Sequence, residues 1–217
     1  MKSLLASIVF FVGISGAVAA DKGPVSYPLE IDPECRGGLA KLFDECSDQF
    51  SVLKDAAAYA ERSGKVLLVG YGAEWCIWCH VLHNYLAGVY TIHPLEFEHT
   101  DGPISTRLIE SSGKNQKADA LRLEEYASST FVLVHIEDRY APNGWDVMEA
   151  LDAAPAFHGG LPFTFAVSNG RYLGHLPSSR ERPEIEVRRE GQNWFRGYDR
   201  AILLEELRRL ESLARQE

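Results

Sequence analysis

The residues of this chain best equipped for chemistry are Trp75-Cys76-Ile77-Trp78-Cys79-His80. Two cysteines three positions apart can close a small disulfide ring, and their sulfurs can take up or deliver two electrons by thiol–disulfide exchange. An apolar run, Lys65 to Tyr71, precedes them with the length and β-branched content of a buried strand. After them Val81-Leu82-His83-Asn84-Tyr85-Leu86 repeats apolar residues at helical spacing. This strand-to-helix junction puts Cys76 at a helix N-terminus, where unpaired N–H groups and the helix dipole favour a thiolate.

Helix geometry divides the labour. At about 100° per residue, Leu82, Tyr85, Leu86 and Val89 share the core side, with Cys79 on its flank and Cys76 pointing well away. Cys76 is therefore expected to be the exposed attacking thiolate and Cys79 the sheltered resolving thiol. His80 and His83 fall within roughly 40° of Cys76 on the same face. A protonated imidazole there favours a thiolate, and a neutral one accepts a proton. Trp75 is expected to pack beside the disulfide and keep water from it. A competing chemistry is metal handling: Cys76, Cys79 and His80 or His83 are soft enough for Cu(I). A metal centre wants convergent ligands and a closed shell, whereas exchange needs only the dithiol, so no metal and no cofactor are assigned.

The other two cysteines, Cys35 and Cys46, would lie ~16 Å apart on one continuous helix, beyond disulfide reach. Gly37-Gly38 permits a chain reversal between them, so a local structural disulfide is the favoured reading, with a second exchanging pair as the alternative.

The elements around the dithiol begin with a leader. Lys2, an apolar stretch from Leu4 to Ile14 and the small residues Ala17-Val18-Ala19 read as a secretory signal peptide over residues 1–19. Export into an oxidising compartment suits both cysteine pairs. No later segment approaches ~18 uninterrupted apolar residues, so no membrane span is expected in residues 20–217. The formal charge is −9 and only Lys2 among charged residues lies in the leader. This acidic balance argues against nucleic acid and anionic membrane as partners.

Leu39–Phe50 reads as a helix within an extension over residues 20–50, and Ser51–Arg62 as a second helix ending at Ser63-Gly64. Val89–Ser129 is long and polar, with a helix expected over Ala118–Tyr126. Phe131–Ile136 reads as a second buried strand and Trp145–Ala153 as a short helix. Gly159-Gly160-Leu161-Pro162 leads into a hairpin, Phe163–Val167 and Arg171–Leu176, turning at Ser168-Asn169-Gly170. Pro177–Gly197 is charged and irregular. Asp199 caps a final helix striped by Ile202, Leu203, Leu207 and Leu210.

Strand, Trp-Cys-x-x-Cys, helix, strand, helix, Leu161-Pro162, hairpin and terminal helix, in that order over residues 51–217, resemble the thioredoxin superfamily, specifically its exported members. The resemblance implies an α/β, thioredoxin-like fold: a central mixed sheet flanked by helices, with an N-terminal helical extension and an insertion before the second buried strand. It implies an exported, periplasmic-type thiol–disulfide oxidoreductase whose partners are protein thiols or disulfides and an electron donor or acceptor. It also implies a cis bond before Pro162 beside Cys76 and Cys79, with the Leu161 backbone pairing to an extended substrate segment. One departure stands out. The family's buried acid, six residues before the first Cys, falls on Gly70, leaving Glu74 or one of the histidines as candidates for its role.

Overall fold

The computed structural model describes residues 23–91, 94–99, 102–108, 116–189 and 195–217. The leader reading over residues 1–19 lies outside them. The chain folds as an α/β protein around a mixed five-stranded sheet. Its strands are β1 (Val25–Tyr27), β2 (Val66–Gly72), β5 (Phe131–Glu137), β6 (Phe163–Ser168) and β7 (Arg171–His175), in the order β1-β5-β2-β6-β7. β5 runs parallel to both β1 and β2, and β6 runs antiparallel to β2 and β7. Every residue of β2 and β5 is buried, as expected for central strands covered on both faces.

Alternation along β2 sorts its side chains into two layers. Leu67, Val69 and Tyr71 face a core built with α1 (Gln49–Ser63) and α4 (Gly144–Ala150). Val66 and Leu68 face the opposite core, with α2 (Ile77–Leu86), α3 (Gln116–Thr130) and α5 (Arg200–Ala214). α1 buries Val52, Ala56 and Ala60, one stripe at four-residue spacing. Its start is capped by Asp48, which accepts from the Ser51 N–H. Its end is closed by Gly64 at φ 66°, a left-handed position that glycine takes at little cost. Asp199 caps α5 by accepting from the amides of Ala201 and Ile202.

Two expectations are corrected. Leu39–Asp48 is not helical, only Gln49 and Phe50 of that span opening α1, and the N-terminal extension before them holds β1, a short 3₁₀ turn at Cys35–Gly38 and a bent loop. Arg36, Gly37 and Gly38 sit at positive φ, and the Asp44 carboxylate takes the amides of Cys46 and Ser47. Such side-chain bonds compete with the helical ladder. This segment is also part of the sheet, because β1 pairs with β5. Finally, the charged stretch after residue 177 is not irregular throughout, and the long polar insertion holds strands as well as a helix. β3 (Pro94–His99), β4 (Gly102–Leu108), β8 (Glu186–Arg189) and β9 (Phe195–Tyr198) form a second sheet in the order β3-β4-β9-β8. None of its strands carries a continuous apolar run to announce it, and β4 finds its partner β9 only across a long separation. Among the described residues no helix is long and apolar enough to cross a membrane.

Candidate functional site: a dithiol between two buried histidines and an anchored loop

Cys76 is the N-cap of α2, and the Cys79 N–H points at its sulfur at 3.3 Å. An amide donor and the positive end of a helix thus converge on one sulfur, the arrangement that favours a thiolate there. Cys76 and Cys79 are paired, with Cα atoms 5.3 Å apart. Exposure does not separate their roles as expected: Cys76 is 5% and Cys79 3% exposed. Both cysteines belong to a small buried cluster with Phe43 and Ala73, against which Trp75, Trp78, Leu42 and Leu161 pack. The difference lies in what each sulfur faces. Cys76 meets the helix-start amide, whereas Cys79 lies over Gly72, where an added Cβ would stand 2.6 Å from its Sγ.

Leu161 belongs to this cluster and Pro162 lines a cavity with Cys79; the bond between them is cis. Trp78 reaches toward the second sheet, edge-on to Tyr198 and beneath the Arg188 guanidinium.

Glu74 has no exposure, and its carboxylate is committed to the N-terminal loop. Oε2 accepts from the amides of Lys41, Leu42 and Phe43 at 3.1, 2.8 and 2.9 Å. The His80 Nε2 lies 3.3 Å from Oε1 and 2.8 Å from the Glu74 carbonyl. Burial works to raise the Glu74 carboxyl, but the hydrogen bond and electrostatic pull of His80, with the loop amides, outweigh it. The group is held below the ordinary carboxylate range. His80, expected on the Cys76 face as a partner of that sulfur, is instead tied to Glu74. The Cys35–Cys46 disulfide, Cα atoms 5.9 Å apart, closes the loop that carries these amides. A bond between these two cysteines is the pairing that the sequence favoured.

Gly70, where a buried acid was absent, pairs across the sheet with His135 of β5. A Cβ on Gly70 would stand 3.7 Å from the His135 Nδ1, so the imidazole occupies the neighbourhood that the glycine leaves open. His135 meets the half-buried His83 of α2, ring centroids 5.4 Å apart, and Phe43, edge-on at 5.0 Å. Burial above all, then His83 and His80, hold His135 well below the ordinary histidine value. The sequence reading assigned His135 no role. The signal was present: it is the one polar residue in Phe131–Ile136, in phase with Phe131 and Leu133.

For the metal alternative, the one cluster among the described residues that brings three potential ligand atoms within 4.8 Å is Cys35, Asp44 and Cys46. Its two sulfurs are bonded to each other. The comparison with protein-family models found no match, and neither did those with curated proteins and with solved structures.

Proposed function

We propose that this chain is an exported thiol–disulfide oxidoreductase of thioredoxin-like fold, acting on protein cysteines. The observation that carries the reading is the pairing of Cys76 and Cys79 at the start of α2, with the Cys79 amide directed at the Cys76 sulfur. In the reducing direction the Cys76 thiolate attacks a substrate disulfide and forms a mixed disulfide, expelling one substrate sulfur. Cys79 then attacks the Cys76 sulfur. The second substrate sulfur leaves with the bonding electron pair, and Cys76–Cys79 is oxidised as the substrate gains two electrons. The oxidising direction reverses these steps. Leu161 and Pro162 beside the cysteines support a role in holding an extended substrate segment through the Leu161 backbone.

The test is covalent trapping. Cys79→Ser should accumulate mixed disulfides with protein substrates at Cys76, and Cys76→Ser should accumulate none. Trapping by Cys76→Ser alone would reverse the roles, and trapping by neither would end the reading. Turnover should persist in chelator; activity lost in chelator and restored by copper would transfer the assignment to metal handling. Equilibration with a glutathione buffer assigns the direction of electron flow. N-terminal sequencing of the exported protein should begin at Ala20.

A further inference from the structure

His135 is a buried base for which the exchange reaction above has no use. It is 5% exposed, and its Nε2 has no hydrogen-bond partner among the described residues. A buried polar atom left unbonded is destabilising, so its persistence calls for a reason. The hydroxyl of Thr164, 1% exposed on β6, is in the same condition. Both residues line a small cavity with Cys79, His83 and Pro162, closed on its other sides by side chains such as Leu82 and Leu133. Its volume of about 10 Å³ is room for a single water, and a buried water is held by two to four polar partners. His135, Thr164 and Cys79 all line the cavity and carry polar atoms that can supply them.

We propose that His135 receives the proton Cys79 loses as it resolves the mixed disulfide, through one water held between the imidazole, the Thr164 hydroxyl and the Cys79 sulfur. The inference rests on the reading of Cys76 and Cys79 as an exchanging dithiol. Atoms and electrons balance. The Cys79 S–H proton passes to the water, and a proton of that water passes to Nε2 of the neutral, Nδ1-protonated imidazole. A bond forms between the two enzyme sulfurs as the Cys76–substrate S–S bond breaks, and the substrate sulfur leaves with the electron pair. In the opposite direction the imidazolium returns the proton to the departing Cys79 thiolate. His83 stands half-buried beside His135, ring centroids 5.4 Å apart. The titratable groups facing His135 are Cys79, His83 and, further off, His80, all from α2. No carboxylate lines the cavity. Its lowered pKa keeps His135 neutral and able to accept at neutral pH.

The experiment uses the reduced full chain and a chromogenic aromatic disulfide, whose thiolate is released twice: once on attack by Cys76, once on resolution by Cys79. His135→Gln and His135→Leu are followed by stopped flow between about pH 6 and pH 9. The first release should stay within about twofold of wild type, because Cys76 faces the helix-start amide. The second should slow roughly tenfold or more near pH 6–7. That deficit should shrink as pH rises, since a thiol that ionises by itself needs no acceptor. A second release that is unchanged, or slowed by one factor at every pH, overturns the proposal and leaves His135 a packing residue. His135→Gln keeps the test open if His135→Leu fails to fold, and urea midpoints check both. A wild-type protein lacking the second release refutes the oxidoreductase reading itself, an outcome distinct from variants that match an active wild type.

Discussion

Removing the Glu74 carboxylate should release the N-terminal loop from the dithiol. In Glu74→Ala the amides of Lys41, Leu42 and Phe43 lose their acceptor at once. Hydrogen bonds to a charged group contribute about 1.5–3 kcal/mol each, so the sum is an upper bound of ~9 kcal/mol. Lys41 is exposed and Leu42 half-buried, so their amides can turn to water, while the Phe43 amide is buried. A loss of roughly 3–5 kcal/mol follows, among the larger effects of single substitutions. Glu74→Gln keeps one acceptor oxygen and should cost about 1–2 kcal/mol. The sign with pH follows from the lowered Glu74 pKa. The folded state holds the carboxylate more tightly than the unfolded chain does. The stabilisation is therefore complete above the ordinary carboxylate range and lost as pH falls through the folded value. Urea unfolding of the oxidised protein, followed by tryptophan fluorescence at neutral and acid pH, measures all three quantities. Loop release should also open Cys79 to alkylation in the reduced variant, read by mass spectrometry. A Glu74→Ala cost below about 1 kcal/mol, or a wild-type acid sensitivity retained in Glu74→Gln, would refute the anchor.

Replacing Cys35 and Cys46 together by Ser should cost about 3 kcal/mol by loop-closure entropy for a crosslink spanning 11 positions, read as a lowered urea midpoint. Exchange at Cys76–Cys79 should survive at moderate temperature; its complete loss would make Cys35–Cys46 a second exchanging pair. Gly72→Ala would bring a Cβ within 2.6 Å of the Cys79 Sγ and 2.8 Å of the Phe43 ring. It should destabilise by about 1–3 kcal/mol and slow resolution, as overpacking does. Gly70→Ala meets only ordinary contacts, the nearest at 3.7 Å, and should be close to neutral. Equal thermal midpoints for these two variants would contradict the packing described between β2 and α2.

What the sequence determined is what runs on local rules. The buried strands before and after the dithiol helix, the cap at Asp199, the hairpin at Asn169-Gly170 and the placement of Cys76 at a helix start all follow from periodicity and turn chemistry over a few residues. The bent loop at 39–48 did not, because beside the local Asp44 bonds and the Cys35–Cys46 crosslink its amides are held by a carboxylate distant along the chain, that of Glu74. The second sheet escaped for the same reason, since β4 finds its partner in β9 almost ninety positions later. Helical angle alone put His80 beside Cys76, but the backbone carbonyl and carboxylate of Glu74 hold its imidazole elsewhere. His135 reaches Cys79's cavity only because parallel pairing sets it opposite Gly70. Register is a property of two strands together, and a helix face specifies direction but not the neighbour it meets. The dithiol and its capping position belong to the sequence, and the groups that surround each sulfur belong to the tertiary structure.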